Sequence, residues 1–130
     1  MSAAHRENIS TGSKWEPVLG YSRAVKVGNV VYVAGTTGAD AEGHFAPDAG
    51  TQTRQALKNI AAGLEKAGAK VSDVVRTRIF VTDISQWEAV GRAHGEVFGE
   101  IRPAMAMVEV SKLIDPAMLV EIEADAVITG

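Results

Sequence analysis

The chain has no cysteine among its 130 residues, which excludes disulfides, thiolate catalysis and zinc–thiolate sites. It also lacks a basic excess: 13 Lys and Arg against 16 Asp and Glu give a net charge of −3, whereas nucleic-acid surfaces usually carry a basic stripe. Aromatic residues are scarce at 5%, so there are few platforms for stacking bases. No segment approaches the ~18 apolar residues of a membrane span, and "MSAAHRENISTGSKWEP" has no apolar run suited to a signal peptide. A cytoplasmic protein without nucleic-acid or membrane partners is expected. No repeat, low-complexity tract or Pro/Ser linker interrupts the sequence, and its length suits one self-sufficient core, so residues 1–130 are expected to form a single domain.

Several chemical signatures are also missing. "GTTGADAEG" has the glycines of a phosphate loop but leads into more loop, without Gly-Lys-Ser/Thr. The lysine in "GLEKAGAK" follows glycine at a helix end, where the dipole disfavours anions. His5, His44 and His94 are scattered and form no His-x-x-x-His pair, so a metal site is not expected. There is no Gly-x-Ser-x-Gly elbow to support a serine hydrolase. His94 falls on an apolar helix stripe and reads as a hydrogen-bonded core histidine in preference to a catalytic one.

What is present is periodic. "SRAVKVGNVVYVAG" is two β-branched runs around Gly28-Asn29, which predicts a hairpin with a tight positive-φ turn. "TQTRQALKNIAAGLEKAGAK" places Leu57, Ile60, Ala61 and Leu64 at helical spacing and stops at Gly68. "DVVRTRIFVTD" alternates as a strand. At "SQWE", Ser85 and Glu88 read as a capping box. It would open a helix whose core stripe is Trp87, Val90, His94, Val97, Phe98 and Ile101, with Pro103 just past its end.

Two strands close the chain. "RPAMAMVEV" puts Met105, Met107 and Glu109 on one face and Ala104, Ala106, Val108 and Val110 on the other. "LVEIEADAV" separates Val120, Ile122, Ala124 and Ala126 from Glu121, Glu123 and Asp125. Two amphipathic helices and about six strands predict an α+β fold with both helices on one sheet face. The other face carries the charges, including Arg76 and Arg78. These are either a solvated, paired surface or include a partly enclosed carboxylate available for chemistry.

"LGYSRAVKVGNVVYVAGTTG", "QTRQALKNIAAGLEKAGAKVSDVVRTRIFVTDIS", "RPAMAMVEVSKL" and "VEIEADAV" together resemble the Rid family of reactive-intermediate deaminases. It is also called YjgF/UK114 and, by an older label, L-PSP endoribonuclease. The resemblance runs in unbroken order over about residues 15 to 128. It implies a chorismate-mutase-like fold, a homotrimer with ligand clefts at the subunit boundaries, and hydrolysis of 2-imino or 2-amino-acrylate-type acids without a cofactor. In archetypal members an arginine after Pro-Ala grips the substrate carboxylate, and the first glutamate of Glu-Ile-Glu positions the attacking water.

Carried over by position, the resemblance assigns Glu121 to the glutamate and Tyr21 to a cleft tyrosine, in a turn reading Leu19-Gly20-Tyr21 in place of Gly-Pro-Tyr. Gly35 is the strand-end glycine, preceded by Ala34 in place of a small hydroxyl residue, and Thr36 is the polar residue after it. The arginine is missing: Met105 stands there, with Met107 in place of the usual cysteine. Each charge-assisted bond of a guanidinium fork contributes roughly 1.5–3 kcal/mol. A thioether offers only an adaptable apolar surface. Losing ~3–5 kcal/mol would lower the affinity for small acids by two to four decades. Arg102, Arg92 and Arg23 are the cations that could restore the charge, from this chain or a neighbour. Arg102 lies three residues from Met105 and thus on the opposite strand face.

The sequence therefore predicts a homotrimeric cleft protein acting on, or binding, an imine- or enamine-like compound other than the standard 2-imino acids, with hydrolytic deamination as the reaction if it is an enzyme. The alternative is a non-catalytic metabolite-binding or regulatory trimer. Ribonuclease activity rests on the old family label alone.

Overall fold

The computed structural model describes residues 5–129. Its strands are β1 (Arg6–Ile9), β2 (Ala24–Val27), β3 (Val30–Thr37), β4 (Val74–Val81), β5 (Ala104–Glu109) and β6 (Val120–Val127). Its helices are α1 (Trp15–Leu19), α2 (Ala49–Lys66) and α3 (Trp87–Phe98). The strands make one sheet in the order β1-β2-β3-β6-β4-β5. All neighbours run antiparallel except β4 and β5, which α3 joins as a crossover. This is the expected α+β architecture, with α2 and α3 packed on one face and the short helix α1 added. Among the described residues, no helix is long and apolar enough to cross a membrane.

Local chemistry explains the boundaries. In the β2–β3 hairpin Gly28 takes a φ of +60°, the glycine-first arrangement of a type II′ turn. Asp48 opens α2 by accepting from the Thr51 amide at 2.9 Å, and Gly68 (φ +83°) follows its end. The expected capping box before α3 does not form. Asp83 accepts from both the amide and the hydroxyl of Ser85, so a 3-10 turn at Ile84–Gln86 precedes the helix. Glu88 instead pairs with Arg92 one turn on, at 2.7 Å.

The core lies between the sheet and the two long helices. Leu57, Ile60 and Leu64 of α2 and Val90 and Phe98 of α3 meet Val31, Val33, Ile79, Val81, Val120, Ile122 and Ala124. The α3 stripe is narrower than its spacing suggests. Val90, His94 and Phe98 are buried, while Trp87 (58% exposed) and Val97 face outward. His94 is the core histidine expected: its Nε2 lies 2.9 Å from Thr77 Oγ1, its ring packs on Phe98, and burial lowers its pKa. Buried Gln52 ties two loops together. Its amide donates to the Ala46 and Ala117 carbonyls, and its oxygen accepts from the Leu119 amide.

Candidate functional site

The opposite sheet face is covered by neither α2 nor α3, and β6 supplies its acids. Ile122, Ala124 and Ala126 point into the core, so alternation sends Glu121, Glu123 and Asp125 to the uncovered side. Glu123 and Asp125 meet Arg78 of β4 at 3.6 and 3.5 Å, which makes them the paired surface anticipated for this face. Glu121 is placed differently.

The cause is an irregularity in β3. Val33 pairs with Ala124, and the next register pair is Thr36 with Ile122. Ala34 and Gly35 therefore share the single position opposite Glu123, which is a β-bulge. The Glu121 carboxyl lies against the Gly35 backbone: a Cβ at position 35 would sit 2.3 Å from Glu121 Oε2. Only glycine leaves room for the acid there. Burial is the main influence on this half-buried carboxyl and raises its pKa, with Glu123 adding to the rise and Arg23 opposing it.

Arg23 precedes β2 and reaches the same glycine. Its Nη2 donates to the Gly35 carbonyl, while its Nε is buried without a hydrogen-bond partner. Of the three arginines that could have replaced the missing charge, Arg92 is paired with Glu88. Arg102, with φ +55°, donates to the Gly99 carbonyl at the end of α3. Arg23 alone of the three acts on the Glu121 carboxyl, opposing the effect of burial.

The remaining expected residues divide. Tyr21 is partly exposed and lines an open depression on the uncovered face with Tyr32, Ala34, Arg78, Glu123 and Asp125. Thr36 does not share the Glu121 face within the chain. The bulge turns it toward the helices, where it is buried and donates to the Ala34 carbonyl at 2.7 Å; Thr37 takes the register position beside Glu121.

Met105 and Met107 likewise stand away from Glu121. The parallel pairing sets them beside Thr77 and Ile79, both core-facing. Met107 packs against the core close to Gly91 of α3, and Met105 is 47% exposed on the edge strand. The residues of β5 that share the Glu121 face are the small ones, with Ala106 beside Arg78 and Val108 beside Phe80.

The family model described as Endoribonuclease L-PSP matches residues 11–128. The chain belongs to the Rid (YjgF/UK114) family. A Mycobacterium tuberculosis Rid structure, described as a member of the highly conserved YjgF/YER057c/UK114 family, superposes with a TM-score of 0.89 at 53% identity, over 95% of this chain and 100% of that one. A RutC family protein of Pyrococcus abyssi is 39% identical over 93% of this chain and 96% of its own. A Salmonella typhimurium protein named 2-iminobutanoate/2-iminopropanoate deaminase is 37% identical over 93% of this chain and 97% of its own. Rid relatives thus include proteins named for imine hydrolysis beside others named for the family alone.

Proposed function

We propose that this Rid protein hydrolyses a small imine or enamine lacking a strongly bound carboxylate, releasing the carbonyl compound and ammonia. The observation that carries the proposal is the Glu121 carboxyl, held against the Gly35 bulge with its pKa raised by burial. A carboxyl shifted upward can exchange a proton with water and with nitrogen closer to working pH than an ordinary glutamate. Glu121 orients a water toward the imine carbon. Addition gives a carbinolamine, the nitrogen takes a proton, and the C–N bond breaks to leave the carbonyl and ammonia. Tyr21 and the Gly35 edge hold the ligand.

The same reading assigns the working unit to a homotrimer. Val27, Tyr32 and Val108 are partly exposed on the uncovered face, an apolar component that a second copy would cover. In that assembly Met105 of an edge strand closes the pocket of a neighbouring subunit as an apolar wall. Arg23 does not act as the anion clamp, because its guanidinium is held inward on the Gly35 carbonyl.

Met105 also favours a second reading, a binding protein without turnover, since the group that grips substrate acids in archetypal relatives is absent. Imine decay, with 2-iminobutyrate and a neutral imine generated in situ, separates the readings. The wild type is expected to hasten loss of the neutral imine and to act weakly on 2-iminobutyrate, and Met105→Arg should raise 2-iminobutyrate turnover by about two decades. Equal 2-iminobutyrate rates in both proteins would overturn the substrate assignment. Inertness toward every imine would favour the binding protein.

A further inference from the structure

Arg23 and Glu121 flank the same residue without forming a direct ion pair among the described contacts. Glu121 lies on the α-carbon side of Gly35, and Arg23 holds the Gly35 carbonyl. A guanidinium has five donors in a rigid fork. Burying one of them, Nε, without an acceptor costs free energy that a folded chain normally avoids. The acid nearby is itself held in an unfavourable setting.

We propose that Arg23 is a positioning residue for Glu121: Nη2 fixes the bulge, and the orphaned Nε–H receives the Glu121 carboxylate when that group is ionised. The inference rests on the reading of Glu121 as the water-orienting acid. The neutral carboxyl stays against Gly35, and the ionised one gains a charge-assisted partner, so a single proton transfer moves the carboxyl between two places.

Few other groups can take that role. Glu123 is two residues along β6 and repels the carboxylate. Arg78 of β4 is occupied by Glu123 and Asp125. The register neighbours of Glu121, Thr37 of β3 and Phe80 of β4, carry no charge. Arg23 also lines a cavity with Asp40 and with Asn59 and Lys66 of α2, but the charged groups that act on the Glu121 carboxyl are Arg23 and Glu123.

The test is an NMR titration of the full-length protein, following the Glu121 side-chain carboxyl carbon and the Arg23 Nε–H together. In the wild type the Arg23 signal should move with the same midpoint as Glu121. In Arg23→Gln, which keeps a donor for the Gly35 carbonyl but loses the charge, the Glu121 midpoint should rise by about half a unit to one unit. Arg23→Lys should return it most of the way. The acid limb of the imine-hydrolysis pH profile should follow the same order, which a purely structural role for Arg23 would not produce. An Arg23 Nε–H indifferent to Glu121 ionisation, or an unmoved midpoint in Arg23→Gln, would overturn the proposal even if the enzyme hydrolyses imines. Coupled titration in a protein inert toward every imine would support the pairing and defeat the deaminase reading instead.

Discussion

The two faces of one strand follow opposite rules. On the covered side of β6, Val120, Ile122, Ala124 and Ala126 are almost completely buried, and fit and volume decide what is tolerated. On the uncovered side, three residues with identical spacing carry acids, and their fates differ with their neighbours. Glu123 and Asp125 meet Arg78; Glu121 meets a bulge, a glycine and a half-buried position. Alternation distributes side chains between stability and chemistry, and one irregular register step selects the acid that becomes unusual.

The sharpest break of that comparison lies on the covered side. Ile122→Ala should cost about 2–5 kcal/mol in urea unfolding, by leaving a cavity between the sheet and the helices. On the uncovered side, Gly35→Ala should leave the core intact but force the Glu121 carboxyl aside. A displacement of that kind lowers imine turnover about a hundredfold, measured at equal folded fraction.

Stability against pH gives a subtler contrast. A raised Glu121 pKa means that the folded chain holds this proton more tightly than the unfolded chain. The associated stability is complete below the ordinary glutamate value and is lost as pH rises through the raised folded value. Glu121→Gln should therefore gain stability relative to the wild type as pH increases, read from denaturation midpoints between about pH 4 and 8. The smallest effect belongs to the ordinary ion pairs. Arg78→Ala should change stability by about 0–1 kcal/mol, and less at high salt.

The long elements were legible from their periods: two in β6, in β5 and in β4 beyond the register shift after Val74, and 3.6 in α2 and α3. The short β1 and α1 were not read. The cap of α3 was misplaced because Asp83 and Ser85 are both good capping residues and only the backbone path decides between them. The candidate site was legible in part. Family resemblance marked Gly35 and Glu121, and the structure brings those two together. It could not place Thr36, since "AGTTG" has no alternation to reveal the bulge that turns Thr36 inward and brings Thr37 beside Glu121. Nor could it side the methionines. Parity groups Met105 with Met107, but only the pairing with β4 shows that their face is the helix side. Arg23 was one candidate among three because its role depends on the fold of a segment 12 residues from Gly35.

The most direct measurement is the rate of imine hydrolysis by Glu121→Gln, in protein shown to be as folded as the wild type. The account predicts that this variant loses at least about two decades of turnover while equalling or exceeding wild-type stability at neutral pH. Wild-type rates in Glu121→Gln would contradict the account, because the one acid that the bulge sets apart would then have no part in the reaction.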